Sequence, residues 1–166
     1  MKKIVPTIDH ISTLTGKAVS YLMFLVVGIV CYEVVMRYLF KMPTVWANEA
    51  VVFCCAFLYV LGAAWTLREN RHVKIDMIWE KFSPRGKRII DSITYIFFAF
   101  YMGMMLWVGV KFARESLQIS ETSGSPWDPP VYPVKIAFVI GIILLLAQGT
   151  SQLIRNLYFI FRGKEL

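Results

Sequence analysis

Two ionisable side chains stand in the first long apolar stretch of this 166-residue chain: Glu33 and Arg37, four positions apart. A carboxylate inside a membrane helix can relay protons or hold a cation, and a guanidinium there can hold an anionic solute. The same spacing on a helix also makes an i, i+4 ion pair, and that structural role is the favoured reading of Glu33. Glu49, just across a short hairpin, is a second partner for Arg37, and an Arg37 to Glu49 pin between two helices is expected ahead of solute binding. Trp46 and Trp127 have the chemistry of a binding surface, although aromatic residues at the ends of spans more commonly anchor them at the membrane interface.

Other chemistries find little support. Haem ligation needs imidazoles facing each other inside the bilayer, whereas His10 and His72 both fall in segments outside the apolar runs. Cys31, Cys54 and Cys55 lie within apolar runs, show no CxxC pattern, and read as small apolar fillers. No Cys and His cluster has zinc-ligand spacing, and neither a phosphate-binding glycine loop nor a nucleophile with its base is present. The chain is therefore expected to be no enzyme and to carry no cofactor.

The elements that must position these residues follow from solvent preference. The chain is 57% hydrophobic, with a mean hydropathy of +0.57 and uncharged runs of 19 residues, which marks an integral membrane protein. Four spans are expected, at about 18–40, 49–67, 89–110 and 134–154, forming one membrane domain over residues 1–166. The N-terminal Lys2 and Lys3 resemble the start of a signal peptide, but no A-x-A site follows the first apolar run, so that span is expected to be retained. Ile4, Ile8, Ile11 and Leu14 recur at helical spacing between polar residues, as in a short helix lying on the membrane surface.

Pro43 breaks the helix after the first span, and residues 44–48 offer oxygens to cap the next. Gly62, Ala63 and Ala64 allow close helix contact near the end of the second. Ile75, Ile78, Trp79 and Phe82 form one apolar face, so residues 72–82 read as an amphipathic helix in the interface plane, with Trp79 as an anchor. Ser83 and Pro84 have the form of an N-cap and first helical residue for the third span. Helix formers continue through residues 111–121, so that helix is expected to project beyond the membrane before the Pro-rich loop. Trp127, Tyr132 and Lys135 suit an anchor around the start of the last span.

Charge sets the orientation. Seven of the eighteen Lys and Arg fall between Arg68 and Arg88, and thirteen lie on the side that holds both termini, against five on the other. Basic loops stay in the cytoplasm, so both termini are expected there. The net charge of +7 accompanies apolar spans, which makes anionic lipid headgroups the expected counter-ions and excludes a nucleic-acid partner. The fold class is thus all-α integral membrane, with four transmembrane helices and interfacial amphipathic helices.

At this point the residues resemble a known family. Arg37-Tyr38-Leu39-Phe40 is followed by Pro43, Trp46 and Glu49, then Gly62-Ala63-Ala64, His72-Val73-Lys74-Ile75-Asp76, Glu80-Lys81-Phe82-Ser83-Pro84 and Arg88. Their order and placement on four spans resemble the small membrane subunit of tripartite ATP-independent periplasmic (TRAP) transporters, the DctQ-like family. Trp127-Asp128-Pro129-Pro130 and Tyr132-Pro133-Val134-Lys135 resemble the loop before the last span in one branch. The family often has an acidic residue where this chain has Asn48.

The resemblance implies a multi-pass bacterial inner-membrane protein without catalytic residues. It implies a large multi-span permease subunit as partner, which holds the solute and sodium sites, and a periplasmic solute-binding protein that delivers an organic acid or related solute. The small subunit would brace the static scaffold while an elevator domain moves, with Arg37, Trp46, Glu49, Trp79 and Trp127 in structural or subunit-interface positions. The competing reading is an autonomous four-helix, proton-coupled multidrug transporter with Glu33 as its coupling site.

Overall fold

In the computed structural model, which describes residues 4–69 and 83–162, the apolar runs form five α-helices: α1 (Ile4–Ser20), α2 (Leu22–Tyr38), α3 (Ala47–Arg68), α4 (Pro84–Gln118) and α5 (Tyr132–Arg162). Helices are the form in which an open segment satisfies its backbone without water. Tyr21, between α1 and α2, keeps helical angles (φ −66°, ψ −22°), so the two make one long rod with a single irregular turn. Counting that rod once, four helices are long and apolar enough to cross a membrane. The amphipathic helix expected at 72–82 lies outside the described residues.

Local chemistry sets the helix ends. Ser83 is extended (ψ 158°), its hydroxyl accepts the Gly86 N–H at 3.2 Å, and Pro84 supplies a first residue with no N–H to satisfy. From there α4 runs 35 residues, roughly 50 Å, which exceeds a hydrocarbon core of about 30 Å by several turns. The start of α3 differs from expectation. Its N-cap is Trp46, whose indole has no oxygen to accept a first-turn N–H, and the Thr44 hydroxyl donates to Glu33.

The helices form a layer whose order is the α1–α2 rod, α3, α5, α4, doubled at one end where α1 also packs directly on α5. The connections at residues 39–46 and 119–131 share one end of the layer, called here the hairpin end, and the opposite end carries the N-terminus. Helix α5 is the interior member: 39% of its most apolar window is buried, against 6% for the corresponding windows of α3 and α4. Gly141 makes the α3 to α5 contact possible. A Cβ there would lie 2.3 Å from Val60 Cγ1 and 2.6 Å from the Val60 carbonyl oxygen, so only a hydrogen fits. Gly16 likewise admits Trp65, whose Cβ would stand 2.4 Å from an added methyl.

The apolar edge of α1 faces outward, as a membrane-surface helix requires, but α1 runs on into α2 and packs its polar edge against other helices. It buries Val5, Asp9, Ser12 and Gly16 against α3 and α5, while Ile11 and Leu14 point outward, 45% and 63% exposed. In a membrane protein apolar residues gain nothing by facing protein when lipid is as apolar, whereas polar groups must find partners, so the polar stripe goes in. About one turn along from the Gly16 contact, a Cβ at Gly62 would meet Val19 at 3.8 Å, so this small residue of α3 receives the first rod, and Ala64 beside it is buried.

Candidate functional site

At the hairpin end, Glu33 and Arg37 are one turn apart near the end of α2. Arg37 Nη2 donates to Glu33 Oε1 at 2.6 Å and its Nε to the same oxygen at 3.1 Å. The other oxygen, Oε2, accepts the Thr44 backbone N–H at 3.1 Å and the Thr44 hydroxyl at 2.5 Å. The carboxylate thus clips the turn after Pro43 to the helix before it. Its side chain is 15% exposed, with both oxygens engaged, while Arg37 is 54% exposed.

Arg37 and Glu49 do not form the expected pin. Asn48 and Val51 line the groove beside Arg37, and Glu49 follows Asn48 by about 100° around the helix, which turns it away from α2. It meets the loop of residues 119–131 instead, accepting the Ser125 hydroxyl at 2.8 Å and the Ser123 hydroxyl at 3.3 and 3.4 Å. That loop is closed by an isolated bridge between Thr122 and Pro130, with Gly124 (φ 68°) and Asp128 (φ 51°) in left-handed conformations. The Asp128 carboxylate accepts the Gly124 N–H at 2.8 Å.

Trp46 and Trp127 are brought together. Their ring centroids lie 6.4 Å apart, tilted by 56°, and Trp46 also stacks on Tyr32 at 6.0 Å. The two tryptophans therefore join the two connections of the hairpin end to each other and to α2. Lys135 pairs with Glu121 across the same loop, and its ammonium holds the Glu121 carboxyl below the usual range. Trp79 lies outside the described residues.

The opposite end holds a polar knot that the sequence reading did not single out. Gln148, fully buried in α5, donates from Nε2 to Asp9 Oδ1 at 2.9 Å and accepts the Ser12 hydroxyl on Oε1 at 2.8 Å. Arg155 pairs with the second oxygen of Asp9. Gln152 donates to the Leu67 carbonyl at 2.7 Å, and Arg68 donates to Thr13. Next to it, Arg88 donates to Asn156 at 2.8 Å and lies 5.3 Å from the Phe159 ring centre. The signal was present in spacing: Gln148, Gln152 and Arg155 at i, i+4, i+7 line one face of an apolar span, opposite Asp9, Ser12 and Gly16 on α1.

Both clusters hold helices in place. Among the described residues no three His, Cys, Asp or Glu side chains gather at metal-ligating distance. Comparison with known proteins agrees with a membrane-transport setting. Residues 26–158 match the family model described as tripartite ATP-independent periplasmic transporters, DctQ component. A curated protein of Haemophilus influenzae, named as a TRAP transporter small permease protein, is 28% identical over 139 residues, spanning 82% of this chain and 83% of its own.

Proposed function

We propose, from the premise that this chain belongs to the DctQ-component family of TRAP transporters, that it braces the scaffold of a large permease subunit during sodium-coupled, binding-protein-dependent uptake of an organic acid or related solute. The family is a transporter component and not an enzyme. The observation that carries the bracing role is the thin arrangement of the helices, one layer deep except where α1 packs on α5. With 6% of the apolar windows of α3 and α4 buried and 39% of that of α5, the layer keeps most of its apolar surface for neighbours outside the chain. Its polar clusters sit at the two ends and are spent on tying helices together, which suits a rigid brace.

The basic residues support an orientation in a bacterial inner membrane with both termini in the cytoplasm. The hairpin end, with Trp46, Trp127 and the loop of residues 119–131, then faces the periplasm and the solute-binding protein. A direct test is co-purification of the tagged chain with the large permease subunit in mild detergent. Stable one-to-one recovery is expected, and recovery of the chain by itself from membranes that contain both would contradict the proposal. Cysteines placed at Thr44 and Ser123 should react with an impermeant reagent from outside, and one at Arg85 should not.

A further inference from the structure

We propose that the groove between α2 and α3 at the hairpin end binds a membrane phospholipid, its phosphate held by Arg37 and Asn48 and one acyl chain laid along Ile29, Val30, Val34 and Val51. The groove has a volume of about 280 Å³ and opens on the outer surface of the layer. It is amphipathic along its length. Four aliphatic side chains line the part within the span, and Arg37 and Asn48 stand at the part near the hairpin.

The guanidinium has capacity left for an anion. Its Nε and Nη2 are both used on one oxygen of Glu33, and Nη1 makes no hydrogen bond among the described residues. Glu33 does not compete for that edge, because its second oxygen is filled by two bonds from Thr44. The Asn48 side chain is exposed on the other wall and brings an amide donor. Arg binds phosphate oxygens through its planar N–H edge, and charge-assisted bonds of this kind are about twice as strong as neutral ones.

Shape selects a lipid over a partner helix. A helix is about 10 Å across with its side chains, too bulky to enter a groove of about 280 Å³, which has room for part of an alkyl chain. Charge placement agrees, since a guanidinium at the end of a span lies at headgroup level.

The test is native mass spectrometry of the full chain in mild detergent, titrated with phosphatidylglycerol, with diacylglycerol bearing the same chains, and with glycerol 3-phosphate. Phosphatidylglycerol should be retained about tenfold more tightly than diacylglycerol, and Arg37→Gln should bring the two within about twofold. Val30→Trp, which fills the groove and leaves the Glu33 to Arg37 pair intact, should weaken both lipids and keeps the test decisive if Arg37→Gln fails to fold. Glycerol 3-phosphate should not displace the phospholipid. Equal retention of the two lipids by the wild type, full competition by glycerol 3-phosphate, or loss of all retained phospholipid on adding the large permease subunit would each overturn the proposal. The last result would assign the groove to a protein contact.

Discussion

The Gln148 amide donates to Asp9 Oδ1 across 2.9 Å, and through it a helix near the end of the chain fixes one at its start. Both side chains are buried, Gln148 fully and Asp9 to 7% exposure, and Arg155 completes the carboxylate. Replacing Gln148 with Leu keeps the volume and leaves Asp9 Oδ1 and Ser12 without their partner. Each orphaned buried group costs about 1–3 kcal/mol. Gln148→Leu is therefore expected to lower the thermal midpoint in detergent, and Asp9→Asn combined with it should cost less than the two single changes summed. An unchanged midpoint for Gln148→Leu would contradict the buried knot.

Glu49 governs the loop of residues 119–131 and not Arg37. Glu49→Leu and Ser125→Ala should each raise amide exchange at residues 121–131 and be strongly non-additive together, because both remove the 2.8 Å bond. Arg37→Ala and Glu49→Gln should instead add to within about 0.5 kcal/mol, as expected of groups without shared contacts. Coupling beyond that would restore the pin across the hairpin.

The Glu121 to Lys135 pair gives the same loop a pH dependence. The folded-state carboxyl is depressed by the Lys135 ammonium, so its stabilisation is complete above the unfolded value of about 4.3 and is lost as pH falls through the lower folded value. Protection factors at residues 121–135, with the intrinsic pH dependence of amide exchange divided out, should therefore fall in acid and stay flat above about pH 5. In Glu121→Gln the loop should open at neutral pH, with this acid-dependent step removed. An acid step unchanged by that substitution would place the titrating group elsewhere.

Much of the architecture was legible because lipid imposes simple rules. Uncharged runs must be helices, Ser83-Pro84 is an N-cap and N1 pair, and the small residues at 62–64 admit a neighbour. The partners of charged side chains were harder to read. Arg37 and Glu49 are opposite in sign across a short hairpin, yet the helical rotation between Asn48 and Glu49 decides which wall each faces, and a hydroxyl loop 74 residues away takes the carboxylate. The polar edge of α1 carried a contact that the surface-helix reading left unassigned. Ile11 and Leu14 lie on an outward-facing edge, and the buried edge is the one that carries Asp9 and Ser12. Hydrophobic patterning reports the protein core in water, but inside a membrane it reports the lipid.

A brace and a carrier differ in whether the chain moves solute by itself. Solute uptake into proteoliposomes tests this directly, with the chain alone and with its large permease partner and binding protein, under imposed sodium and proton gradients. The chain alone should move nothing, sodium-driven uptake should require all three proteins, and Glu33→Gln should leave most of that uptake, because Glu33 clips Arg37 and Thr44 at the hairpin. Proton-driven transport by the isolated chain, abolished by Glu33→Gln, would contradict the bracing role.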